Sequence, residues 1–96
     1  MDPANPVISI SDVVVSTKGR DQGDWYYVIA QDQTYLFLAN GRDRTLDKPK
    51  RKKRKHVQKV LRSETRVAEK IRSGNKVLNS ELRRDLAFLA RETASE

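Results

Sequence analysis

Apolar residues in the middle of the chain are arranged with the period of a β-strand. Residues 25–31 (Trp-Tyr-Tyr-Val-Ile-Ala-Gln) and 35–40 (Tyr-Leu-Phe-Leu-Ala-Asn) are aromatic and β-branched, the composition that suits a pleated, half-buried surface. Residues 12–17 form a third such segment, ended by Lys18-Gly19. The polar loop 18–24 contains Gly19 and Gly23, and Gln31-Asp32-Gln33-Thr34 makes a tight turn. Asn40-Gly41 is a strong hairpin signal, since both residues tolerate the left-handed region, and it predicts a returning strand over 42–46. Strands of about six residues joined by short turns imply a small, twisted antiparallel sheet that curls into a barrel.

Period two also sorts the side chains. Tyr26, Val28 and Ala30 share one face of the second strand, and Trp25, Tyr27 and Ile29 the other; on the third, Leu36 and Leu38 oppose Tyr35 and Phe37. Both faces are apolar, so one must fill the barrel while the C-terminal part or a partner covers the other. Val28, Leu36 and Leu38 are expected inside, with Val13 or Val15. After residue 62 the period changes. Ser63 can cap a helix over 64–73 that carries Val67 and Ile71 at i, i+4 and stops at Gly74-Asn75. Ser80 can cap a second over 81–92, with Leu82, Leu86 and Leu89 in one stripe and Arg83, Arg84 and Arg91 facing away. Val77 and Leu78 are candidates to tie the pair to the sheet. Helices this short are not stable alone in water, so both must dock.

Ninety-six residues support one small domain. The apolar residues come in blocks, which argues for a fold with a disordered or partner-ordered basic stretch. Without cysteine there is no disulfide framework and no thiolate metal site. Residues 1–9, with Pro3 and Pro6, read as a flexible leader without the features of a signal peptide. No apolar run approaches the ~20 residues of a membrane span, and a cytoplasmic location is expected.

Charge changes the picture most. Residues 1–40 carry net −3, residues 41–62 net +9 and residues 63–96 net +1. Within 48–59, eight of the twenty Lys and Arg side chains stand without an acidic residue: Lys48, Lys50, Arg51, Lys52, Lys53, Arg54, Lys55 and Lys59, with His56 among them. Such a cluster suits a polyanion, whose counterions are released on binding. Nucleic acid is the leading partner and an anionic membrane surface a lesser one. The run also fits a nuclear-import address or a solvated charge run, but Arg42, Arg44 and Lys18-Gly19-Arg20 add positive charge beside it, which an import tag does not need. Pro49 opposes a helix at its start, so an extended strand or arm is expected.

Catalysis finds no support. His56, the only histidine, has no carboxylate or hydroxyl partner nearby in the sequence, and adjacent cations disfavour its protonated form. Asp21, Asp24, Asp32, Asp43 and Asp47 occur singly, without metal-ligand spacing, and read as turn formers and local counter-charges. No phosphate-binding glycine loop is present. No enzyme activity, metal, cofactor, membrane or small-molecule substrate is expected.

Asp12-Val-Val-Val-Ser-Thr-Lys-Gly-Arg-Asp-Gln-Gly, followed by Tyr26-Tyr27-Val28, resembles a KOW motif, a strand–glycine loop–strand unit of several ribosomal proteins and transcription elongation factors. With Asn40-Gly41-Arg42 and Lys-Pro-Lys-Arg-Lys-Lys-Arg-Lys-His-Val-Gln in order, residues 12–60 look like the short bacterial KOW-domain RNA-binding proteins, themselves similar to a KOW-barrel protein of the archaeal and eukaryotic large ribosomal subunit. The stretch Leu78-Asn-Ser-Glu-Leu-Arg-Arg-Asp-Leu resembles that group's tail. A further glycine common in longer KOW motifs is absent, with Trp25-Tyr26 in its place.

The resemblance implies a mostly β fold: an SH3-like (KOW) antiparallel barrel over 10–62, with a basic arm at 48–59 and a C-terminal extension, 63–96, of two short helices. It implies binding to RNA, as rRNA of the large subunit or its precursors, with ribosomal protein contacts possible. Lys18, Gly19, Arg20 and Gly23 would approach the RNA backbone, with Arg42, Arg44 and the cations of 48–59 beside them. Tyr26 and Val28 would be core, and Trp25, Tyr27 or Tyr35 are candidates to stack on an unpaired base, although a place in the core is the better reading for each. The rival readings are a transcription-associated KOW module whose barrel binds protein, and a DNA-binding accessory protein.

Overall fold

The computed structural model describes residues 7–94. Five strands appear, β1 (Asp12–Ser16), β2 (Trp25–Gln31), β3 (Tyr35–Ala39), β4 (Lys50–Lys53) and β5 (Val57–Arg62), followed by helices α1 (Arg66–Ser73) and α2 (Asn79–Ala94). All pairings are antiparallel, in the spatial order β4-β3-β2-β1-β5. Strand and helix residues are nearly equal in number, so the fold is mixed rather than mostly β. Two elements differ from their expected extents. The strand expected over 42–46 does not form, and α2 runs for 16 residues, beyond both expected ends.

The returning strand is the basic run itself. Lys50–Lys53 pairs with β3, a 3₁₀ turn at Arg54–His56 follows, and β5 begins at once. This corrects the expectation of a disordered or partner-ordered arm: 50–62 is two strands of the sheet. A flat five-stranded sheet would hold its edges about 19 Å apart, more than a three-residue link spans. The sheet must therefore bend strongly. The turn is fastened on both sides, since Arg54 N donates to Thr34 O (3.1 Å) and Thr17 N to His56 O (2.9 Å).

Both faces are packed. Val14, Tyr26, Val28, Leu36, Leu38 and Val57 form the inner cluster, with Ile8 against it. Val13, Tyr27 and Ala39 meet Val67, Ala68, Leu82 and Leu86 of the helices on the other face, joined by Val77 and Leu89. Val28, Leu36 and Leu38 are inside, as period two predicts; their β1 partner is Val14, because Val14 pairs with Tyr26 while Val13 pairs with Tyr27. Neither Val13 nor Val15 is in the inner cluster. Ala30 also leaves that face. The β2–β3 register shifts across Ile29, so Ala30 pairs with Phe37 and is exposed. A second shift leaves Val60 and Leu61 both against the helices.

Caps differ from the sequence reading in detail. Thr65, not Ser63, caps α1, accepting from Ala68 N, and Gly74 ends it at φ 72°. At the start of α2, Glu81 accepts from Leu78 N (3.1 Å), a return bond of the capping-box kind, and Ser80 lies within the helix. Leu78 is half-exposed and not a tie to the sheet. The Tyr27 hydroxyl is buried under the helices, bonded to the Asp85 carboxylate and to Ser63 Oγ (2.8 Å). Burial, then the bond to Asp85, pushes its pKa up to about 12, against smaller opposing effects of Ser63 and Thr65.

The leader expectation covers residues 1–6, which lie outside the described residues, and 7–9, which are tied in: Lys59 Nζ reaches Val7 O (3.3 Å), and Ser9 N donates to Asp12 Oδ2 (2.8 Å). No helix among the described residues is long and apolar enough to cross a membrane.

Candidate nucleic-acid interface

Folding the basic run into strands divides its cations by parity. Lys50 and Lys52 lie opposite Leu38 and Leu36 and so point to the inner face; Arg51 and Lys53 lie opposite Phe37 and Tyr35 and point outward. The inward pair meets one carboxylate. Asp21 Oδ1 is 2.6 Å from Lys52 Nζ and Oδ2 is 3.0 Å from Lys50 Nζ. Ser16 Oγ (2.8 Å) and the Tyr26 hydroxyl (3.0 Å) also donate to Asp21. Burial alone would raise the Asp21 pKa; the bonds from Lys52, Lys50, Ser16 and Tyr26 outweigh it and hold the carboxyl well below the usual range. Burial, followed by the hydrogen bond to and charge of Asp21, raises the Tyr26 hydroxyl above its ordinary value.

Lys52 is thus a buried structural cation, only 8% exposed, and also donates to Lys18 O at 2.6 Å. This removes it from the contact surface proposed on sequence. Lys59 is comparable: opposite Val14, it pairs with the buried Asp12 at 3.2 Å. Arg54 is held locally by Asp32 O (2.8 and 3.0 Å) and Gln31 Oε1 (2.7 Å).

The outward cations have no such partners. Lys18, Arg20, Lys48, Lys53 and Lys55 are exposed and form no salt bridge among the described residues. Arg51 lies over the Tyr35 ring, 4.5 Å from its centroid, and Tyr35 and Phe37 are half-buried on the same outward face. His56 is partly exposed in the connecting turn; its pKa is lowered first by desolvation and then by Lys18, Lys55, Lys53 and Lys52. Those causes place Lys18 near the 3₁₀ turn, so the glycine loop and the run are brought together.

The glycine loop is part of the same construction. Gly19, at φ 90°, lies over the buried ion pair: a Cβ there would stand 3.6 Å from Asp21 Oδ1 and 3.7 Å from Lys52 Nζ. Gly23 is exposed, and its N–H returns to Ser16 O (2.9 Å). Arg42 and Arg44 are exposed on the Asn40–Arg44 loop, which is wider than a two-residue hairpin because Asn40 Oδ1 accepts from both Arg42 N (2.9 Å) and Arg44 N (3.1 Å). Gly41 has φ 75° and is packed on α2, where a Cβ would fall 2.2 Å from Asn79 O.

Of the stacking candidates, Tyr27 is fully buried and removed, while Tyr35 and Trp25 retain accessible surface. Phe37 was not singled out from sequence as a contact, although its shared parity with Tyr35 is the signal that finds it. Asp12 and Asp21 were likewise not recognised as buried counter-ions; only tertiary structure brings them to Lys59 and Lys52. Among the described residues no group of histidines and carboxylates is placed to hold a metal ion. No known family profile matches the sequence, and no curated protein matches it either.

Proposed function

We propose that this chain is an RNA-binding protein of the KOW type, an SH3-like barrel that binds rRNA of the large ribosomal subunit or its precursors. The observation that carries the reading is the selective pairing of the cations. Those facing inward form salt bridges with Asp21 and Asp12, while those facing outward form none among the described residues and lie beside an aromatic pair. A solvated charge run needs no such sorting. Cations carried on a folded strand and its turn supply counterion release without the cost of ordering an arm, and Tyr35 and Phe37 add surfaces on which an unpaired base stacks.

The barrel assignment is supported by the strand order and by the link between β4 and β5, whose short 3₁₀ turn demands a strongly coiled sheet. The KOW assignment rests on the sequence resemblance, with the glycine loop next to the outward cations in its favour. Sedimentation of a cell lysate through a sucrose gradient tests the reading. The protein is expected to travel with the large subunit or its precursors at moderate salt, and retention by RNA polymerase would favour the transcription-associated alternative.

A further inference from the structure

A second feature lies at the loop end of the sheet, away from the outward face of β4. Between the start of β2, the Asn40–Arg44 loop and α2 there is an open cleft of about 520 Å³. Trp25 and Leu86 give it an apolar wall, and Arg42, Arg83, Asp24 and Asp43 supply charges of both signs. Two of the polar groups are held in place. Arg83 Nη1 donates to Gly41 O at 2.8 Å, and Asp43 Oδ1 accepts from Asn40 Nδ2 at 2.7 Å. Its volume lies within the range of small-molecule sites.

The carboxylates are the informative part. On a protein that binds a polyanion, acidic side chains lining an open cleft repel phosphate there and favour the donor edge of a base. An unpaired base supplies such donors and a flat ring for Trp25. Guanine alone presents two adjacent N–H donors, N1–H and the N2 amino group, on its Watson–Crick edge; adenine and cytosine each pair a donor with an acceptor, and uracil has one donor between acceptors. Guanidinium groups beside the same cleft suit the phosphate of that nucleotide.

We infer that the Trp25 cleft takes a single unpaired guanine nucleotide of the bound RNA, stacked on the indole, with its N1–H and N2 edge on the Asp24 and Asp43 carboxylates and its phosphate at Arg42 and Arg83. The inference rests on the RNA-binding reading and adds to it a site with base preference, separate from the outward face of β4.

Trp25 is the only tryptophan in the chain, so its emission reports on this cleft alone. Four RNA hairpins of one stem sequence serve as probes at 50 mM salt: bulged guanosine, bulged adenosine, an abasic bulge and no bulge. Binding is followed by anisotropy of the labelled RNA. The bulged-guanosine hairpin is expected to quench Trp25 and to bind about tenfold more tightly than the abasic one, the scale of one stacked base. Asp43→Asn, on an exposed loop, is expected to remove the preference for guanosine over adenosine, read as the ratio of the two affinities, because losing a carboxylate favours every RNA alike. Equal affinity and equal emission for all four hairpins overturn the cleft and leave RNA binding intact. Equal binding of guanosine and adenosine bulges by the unsubstituted protein overturns the assignment to guanine. Failure to bind any hairpin overturns the RNA reading and this inference with it.

Discussion

Lys52 and Lys53 are neighbours in the chain with the same side chain, yet they belong to different regions of the molecule. Lys52 points inward beneath the glycine loop, where Asp21 and the Lys18 carbonyl occupy its ammonium. Lys53 points outward, opposite Tyr35, and forms no salt bridge among the described residues. What separates them is the pleat. One step along a strand turns a side chain from an interior that demands a counter-ion to a surface that presents charge to whatever binds. The positive charge of β4 is therefore two populations, one holding the glycine loop to the strand and one turned outward with no salt bridge among the described residues.

The largest effect should come from breaking the inward set. Asp21→Asn leaves Lys50 and Lys52 without their counter-ion and is expected to cost about 3–5 kcal/mol in chemical unfolding. Adding Lys52→Met should recover part of the loss, whereas Lys53→Ala should leave the midpoint almost unmoved. The pH dependence has a definite sign. Because the folded Asp21 pKa is depressed, its contribution is present above the unfolded value near 3.9 and is lost as pH falls through the lower folded value. Acid unfolding below about pH 4 should be steep in the native chain and shallower in Asp21→Asn.

Neutralising the outward set should do the converse. If Lys18, Arg51, Lys53 and Lys55 each meet one phosphate, their share of RNA affinity falls roughly 50- to 150-fold between 50 and 200 mM salt. Replacing all four with Ala should remove that part of the salt slope in an anisotropy titration and leave the far-UV spectrum unchanged. A slope that survives would place the RNA contact elsewhere.

Tyr35→Ala sharpens the outward region further. It should weaken binding to single-stranded RNA by about 1–3 kcal/mol, the value of one stacked base, with little change for a duplex of equal length. The smallest effect concerns His56. Its pKa is lowered in the free protein by desolvation and the surrounding lysines, and bound phosphate would raise it again. Protons are then taken up on binding, so affinity should rise slightly as pH falls from 8 to 6. His56→Gln should abolish that rise.

Much of the sheet was readable because its signals are local. Alternation in Tyr-Leu-Phe-Leu marks β3 and its inner face without help from elsewhere, and Gly74 ends α1 where a residue must adopt positive φ. The readings that failed needed distant partners. Asn40-Gly41 is a hairpin signal, but Asn40 spends its amide closing a wider loop and Gly41 spends its conformation against Asn79, 38 positions away in the sequence. Lys50–Lys53 has poor strand propensity and reads equally as an extended strand or an arm. It is a strand paired with β3, its two inward side chains sharing the single carboxylate of Asp21. The interface was legible as a charge, but not as a division of that charge, since the division depends on a register no local pattern gives.

The pairing of β1 with β5 has a consequence for how the chain is made. Val13-Val14-Val15 is synthesised early, β2 arrives soon after to cover one of its edges, and the other stays open until 57–62 has left the ribosome. During that interval the molecule carries a β-branched strand with one unpaired flank, the template on which foreign strands add. Any fragment ending before Val57 keeps this flank permanently. Such fragments should accumulate in inclusion bodies, and the chain should be most vulnerable to misassembly just before β5 pairs with β1.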